Sequence, residues 1–146
     1  MRRLPLVLFA LVAILSLLAA GRYMATAEFM PYHAIVSGKS WAALESGLQT
    51  IILGMLKIVA GGFLASGVAI LWLLLPLSRG SNWANWACLS VGLSVWLPTF
   101  YVTLLLKSTA PTAEPPIAAT AVILALLVIG FTLSLFNKPV TQANEG

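Results

Sequence analysis

Hydrophobic positions in this chain come in four long runs rather than in alternation, at about residues 4–21, 48–77, 84–106 and 117–136, the second interrupted by Lys57. A spanning α-helix needs about 20 consecutive apolar residues. The third and fourth runs meet that with no charged residue, and the first carries none after Arg3. Backbone in lipid must satisfy its own hydrogen bonds, which leaves helices or a closed barrel, and barrel strands would alternate apolar and polar positions. The pattern therefore predicts an all-α fold: a polytopic membrane protein, a four-transmembrane-helix bundle in one domain. Residues 22–47 form an outer loop or amphipathic cap between the first two helices, and residues 137–146 a polar tail. The segment KSTAPTAEPP, residues 107–116, ends the third span and leads into the fourth.

The second run needs a separate account. From Trp41 to Leu77 the pattern is helical and would reach about 55 Å, against a hydrocarbon core of about 30 Å. Its first part, residues 41–56, is amphipathic, with Trp41, Leu44, Leu48, Ile51 and Met55 at helical spacing and Glu45 and Gln49 on another side. Ser40 is a candidate N-cap for it. This part reads as an extension beyond the membrane, resting on the bundle top or the lipid surface. Counting about 20 residues back from Pro76 puts the edge of the hydrocarbon near Lys57. There a lysine can snorkel or meet a loop, whereas a deeper position would flag function. Pairing with Glu28 is the third reading. Small residues at four-residue spacing let helices approach closely in lipid. On that ground Gly54, Gly61 and Ala65, with the parallel Gly62–Ser66 ridge, are expected to face another helix, within the bundle or in a homodimer.

Composition agrees with a membrane protein. The 146 residues are 60% hydrophobic and 8% charged, with a mean hydropathy of +1.00, whereas soluble domains carry about 25% charged residues. The net charge of +4 comes from eight scattered basic residues. They form no basic stripe, which argues against a nucleic-acid partner. Membrane lipids are the expected partners, with a second copy or another membrane subunit as further candidates. Arg2 and Arg3, beside the first helix, favour both termini in the cytoplasm. Trp72, Trp83 and Trp86 would then mark one interface, and Tyr23, Tyr32, Trp41 and Tyr101 the other. A cleaved leader is the alternative for the first run, with ATA before Glu28 as the cleavage site. Its apolar stretch is longer than the usual ~7–15 residues, so it reads as a retained helix.

The chemistry available is sparse. The chain has no aspartate, one histidine and one cysteine. That offers no Ser-His-acid set, no metal-ligand set and no haem-binding histidine pair. A Gly-rich phosphate loop is missing too. Neither an enzyme activity nor a cofactor is indicated. Cys88, inside an apolar run, reads as a small buried hydrophobe. Special residues gather in EFMPYHAIVSGKSW, residues 28–41. A polar cluster of Glu28, Tyr32 and His33, with Lys57 nearby, is the candidate ligand site. The structural alternative is an ordered cap with Glu28 and His33 turned toward protein. A carboxylate beside His33 would favour its protonated form. In the third span Pro98, beside Trp96, Phe100 and Tyr101, is a place for a cavity near the outer face. Ser90, Ser94, Thr99 and Thr103 there can bond to their own backbone or to a neighbour.

The stretch EFMPYHAIVSGKSWAALE followed by GLQTIILGMLKIVAGGFLASGVAI resembles small, uncharacterised bacterial inner-membrane proteins with four spans. The resemblance covers most of residues 20–75 and implies an inner-membrane location, with no activity attached. In size and topology the chain also looks like the DoxX-like group, and no site residue carries over. Small multidrug-resistance transporters have four spans too, but rely on a glutamate in the first helix. Residues 4–21 contain no acidic residue. The expected function is that of an integral membrane protein acting by association, as a subunit or envelope factor. An amphiphile-binding or redox-accessory protein, for a lipid or quinone, is the second reading, and a small transporter the third.

Overall fold

The computed structural model describes residues 3–136, all helix, turn and loop with no strand among them. The helices are α1 (Arg3–Ala25), α2 (Pro31–Ser37), α3 (Ser46–Ser78), α4 (Asn82–Thr109) and α5 (Ile117–Phe136), with a 3-10 turn at Trp41–Ala43. The expected polar tail, 137–146, and Arg2 lie outside the described residues. Helices α1, α3, α4 and α5 are each long and apolar enough to cross a membrane. Together they form an integral membrane protein of four helices with a short cap.

Helix α1 packs against α3 and α5, and α4 packs against the same two, so α1 and α4 face each other across the bundle. The contact of α1 with α3 is the most extensive. Phe9, Val12, Phe63, Ile70, Cys88, Trp96 and Leu127 fill the interior. Polar links cross it as well: Trp96 Nε1 donates to Ser16 Oγ (2.9 Å), that hydroxyl donates to the Val12 carbonyl (2.9 Å), and buried Asn85 donates its Nδ2 to the Phe131 carbonyl (3.3 Å). The outside is just as apolar, with Leu18, Ile58 and Leu97 more than half exposed, as a lipid-facing surface requires. Lipid removes the hydrophobic drive between helices, so close packing must hold them.

That packing occurs at small residues other than those expected. A Cβ at Gly67 would lie 2.8 Å from Leu17 Cγ and 3.0 Å from the Ala13 carbonyl oxygen. Gly67 therefore sets the approach of α3 to α1. Gly92 does the same for Leu127 of α5. Of the expected packing face, Ser66 is buried and Gly62 half-buried, but Gly54, Gly61 and Ala65 are exposed. A Cβ at Gly54, Gly61 or Gly62 would meet nothing within 4 Å. The expectation is corrected within this chain: α1 approaches the side of α3 that carries Ala60, Phe63, Gly67 and Ile70. Four-residue spacing marks a smooth ridge, but where two such ridges share one helix it does not say which is covered.

The long second run is also resolved. Helix α3 begins at Ser46, with Glu45 at its N-cap. Ser40 instead opens the separate 3-10 turn, without a side-chain cap bond. Gln49 Nε2 ties the two pieces together by donating to the Trp41 carbonyl (2.8 Å). From Lys57 to Ser78 the helix rises about 32 Å, close to the hydrocarbon thickness. The preceding turns project past the end of α1. At the opposite end Trp72, Trp83 and Trp86 are all more than half exposed, as interfacial anchors are.

Candidate functional site

The cap is built on backbone restriction. Pro31 starts α2, and Gly38 ends it at φ 66°, a left-handed position that glycine takes without a Cβ penalty. Phe29 and Met30 are buried. The Phe29 ring meets Trp41 (centroids 5.1 Å apart), and Tyr32 meets His33 edge-on (4.4 Å). His33 closes the first turn of α2. Its N–H donates to the Met30 carbonyl (2.8 Å), and its Nδ1 accepts from the Met30 N–H (3.2 Å). This reach back to the N-cap is the part Glu or Gln plays in a capping box. Burial lowers the His33 pKa from its ordinary value, and an accepting Nδ1 likewise requires the unprotonated nitrogen. The expected carboxylate neighbour is not there: Glu28 is exposed, and only its backbone carbonyl engages, accepting from Thr26 Oγ1 (2.7 Å). Glu28 faces water because residues 26–30 are pinned through backbone groups and through Phe29 and Met30.

Lys57 leaves the candidate cluster for a structural reason. Its ammonium donates to the carbonyls of Met24 (2.6 Å), Thr26 (2.6 Å) and Tyr23 (3.3 Å). A helix ends with carbonyls that lack intrahelical partners and with negative dipole charge. Lys57, brought in from α3, supplies both donors and charge at the end of α1. The expected acid–base contact with Glu28 does not form. Lys107 acts similarly at the end of α4, donating to Pro111 O (2.8 Å) and Ala113 O (3.0 Å) in the loop to α5.

Tyr32, the remaining member of the cluster, belongs to a pocket of about 680 Å³ at the capped end. Residues from α1 (Leu15, Leu18, Arg22, Tyr23), α2 (Tyr32, Ile35), α4 (Trp96, Thr99), α5 (Ala119, Thr120, Ile123) and the α4–α5 loop (Glu114) line it, with Phe63 of α3 behind. Leu15 and Arg22 are seven residues apart on one helix, which makes the pocket about 10 Å deep along α1. Leu18 and Ile35 line the pocket and are also largely exposed, so its apolar wall is open rather than enclosed. The hydroxyls of Tyr23 and Tyr32 share a hydrogen bond (3.3 Å). Burial, more than that bond, raises the Tyr32 pKa, with the Arg22 charge opposing weakly. The phenol stays neutral and can donate. Tyr23 packs on Phe63 (5.7 Å) and Phe63 on Trp96 (4.8 Å), a column of rings that stiffens the wall.

The structure thus joins Tyr32 to residues that the sequence expectation left aside. Arg22, Tyr23 and Glu114 were hidden as a helix-end cation, an interfacial aromatic and one acid in a Pro-rich turn. Their signal was position alone, since each is the polar residue nearest the end of an apolar run. Of the residues expected around a cavity at Pro98, Trp96 lines the pocket, whereas Pro98, Phe100 and Tyr101 do not, and Tyr101 is 64% exposed. Thr99 and Thr103 bond to their own helix, at Val95 O and Phe100 O. Among the described residues, no three of His, Cys, Asp and Glu gather to hold a metal ion. No protein-family model, curated protein or solved structure matches this chain.

Proposed function

We propose that this integral membrane protein binds an amphiphile drawn laterally from the leaflet at its capped end. The pocket carries the reading. It has the size of a ligand site, about 680 Å³ within the usual range of roughly 300–1,000 Å³. It is mostly apolar and opens onto lipid-facing Leu18 and Ile35, with its charged residues near the helix ends, where head groups lie. A lipid or quinone-type molecule fits that division better than a soluble metabolite. The Arg2–Arg3 pair supports a cytoplasmic N-terminus, which with four spans puts the pocket on the outer side of a bacterial inner membrane.

Native mass spectrometry from mild detergent tests the proposal. The wild type should carry a bound amphiphile, and Ala119→Trp, at the pocket edge, should lose it at unchanged thermal stability. A bare wild-type chain, or one whose adducts persist in Ala119→Trp, overturns it. A complex with a second protein and no small molecule would favour the association reading instead. For orientation, Ser37→Cys should label from outside intact cells and Ser78→Cys only after permeabilisation.

A further inference from the structure

Two opposite charges line the pocket without an ionic partner. Arg22 stands in the last turn of α1. Its Nη2 lies 3.8 Å from Met30 Sδ, and thioether sulfur is a weak acceptor. Glu114 stands in the loop across the pocket and has no hydrogen bond or ion pair among the described residues. Of the other cations at this end, Lys57 holds the end of α1 and Lys107 the loop after α4, while Lys39 is exposed on the cap and does not line the pocket. Glu28 and Glu45 are exposed and do not line the pocket.

The remaining polar groups of the wall narrow the chemistry. Thr99 and Thr120 direct their hydroxyl protons to carbonyls of their own helices, Val95 O and Ile117 O (2.7 and 2.9 Å). They leave only lone pairs to the pocket. Tyr23 and Tyr32 use one of their two protons on each other. The pocket therefore presents one cation, one anion, one free phenolic proton and the unbonded hydroxyl of Thr112 above an apolar body. A purely anionic amphiphile would satisfy Arg22 and meet the Glu114 charge. A cationic one would do the reverse. A neutral quinone would leave both charges unmatched.

We propose that the pocket selects a membrane lipid with a zwitterionic head group. Its phosphate sits at Arg22, its primary or quaternary ammonium at Glu114, and its chain runs past Leu18 and Ile35 into the bilayer. This rests on the amphiphile reading above and adds the head-group class. Both charged residues lie at the ends of spans, the level at which bilayer phosphates and ammonium groups lie, so a lipid can enter sideways without leaving the membrane.

The experiment titrates delipidated protein with phosphatidylethanolamine and phosphatidylglycerol of identical chains, read by native mass spectrometry. Water-soluble glycerophosphoethanolamine runs beside them. Wild type should prefer phosphatidylethanolamine by about fivefold, as expected for two exposed charge contacts. Glu114→Gln should erase the preference by strengthening phosphatidylglycerol binding. Arg22→Gln should weaken both lipids. Both residues are exposed, and thermal melting of each variant confirms that it is folded. Equal affinity for the two lipids, still abolished by Ala119→Trp, overturns the head-group assignment and leaves the pocket standing. A preference unchanged in Glu114→Gln, or a soluble head group binding as tightly as the lipid, overturns it too. If neither lipid binds in a pocket-dependent way, the head-group assignment fails, and the amphiphile reading fails with it where the protein as purified also carries no adduct that Ala119→Trp removes.

Discussion

The side of α1 that meets α3 is closely packed, and the end of the helix there is capped. Gly67 brings the backbones together, and Lys57 takes up the end carbonyls of α1 with its ammonium. Toward α4 and α5, the same helix borders a pocket, and its Arg22 finds only a sulfur at 3.8 Å. The two cations stand near one level of the bundle. One is a cap whose donors are saturated by backbone, and the other has donors to offer. A charge at a membrane boundary therefore indicates function only when its partners have been counted, since either side chain looks equally out of place in a hydropathy plot.

If the closed side depends on Gly67, substitution there should do the most damage. Gly67→Leu would drive a side chain into Leu17 and the Ala13 carbonyl, and overpacking of this kind costs about 1–3 kcal/mol. Gly61→Leu, on the exposed side of the same helix, should leave monomer stability within about 0.5 kcal/mol. Thermal melting in detergent reads both. Equal losses would mean that α3 is covered on both sides, by α1 and by a second chain.

Removing the cap charge comes next. Lys57→Met keeps an apolar stem and leaves three carbonyls at the end of α1 without their ammonium. Hydrogen bonds to a charged group contribute about 1.5–3 kcal/mol where water cannot replace them. Water near the head groups should hold the loss to the lower part of that range. Hydrogen exchange should rise at residues 23–26 and leave α5 unchanged. Arg22→Gln should leave exchange there unaltered, because Arg22 holds no carbonyl in the structure. If the two variants melt alike, the contrast between occupied and available charge is wrong.

Four long apolar runs made the bundle legible in sequence, because lipid permits little besides helices. That Lys57 stands level with the end of the first span was legible too, by counting residues back from Pro76. Its partners were not, because they are backbone carbonyls more than 30 residues away, and carbonyls leave no mark in sequence. Gly67 stands out less in sequence than the more regular Gly61–Ala65 spacing. The covered ridge is decided by where Leu17 and Ala13 of α1 fall, not by α3 itself. The pocket was least legible. It is assembled from five helices and a turn, and Arg22 and Glu114, 92 positions apart in the chain, become neighbours of one cavity only in the fold. Tyr32 adjoins Glu28 and His33 in sequence, yet α2 places Tyr32 at the pocket while Glu28, in the turn before it, is exposed.

The smallest effect is expected at His33, where the cap over this pocket meets solution pH. Its Nδ1 accepts the Met30 N–H and burial disfavours its charged form, so its folded pKa lies below the unfolded value of about 6.5. The unfolded cap then binds more protons than the folded one in that interval, and stability must fall as pH falls. The contribution is complete above about pH 6.5 and is lost on acidification through the lowered folded value. Protonation converts Nδ1 from acceptor to donor, so the Met30 N–H would face a proton instead of a lone pair. Protease cleavage and hydrogen exchange over residues 28–41 should therefore increase between pH 7.5 and 5.5 in the wild type. Glutamine offers an amide oxygen for the same reach back to the N-cap without titrating, so His33→Gln should show the pH 7.5 pattern at both values. Glu28 and Glu45 are present in both proteins, so their titration cannot produce a difference between them. A wild-type cap that tightens on acidification would mean that His33 has an anionic partner after all, and the cap would then respond to pH in the opposite sense.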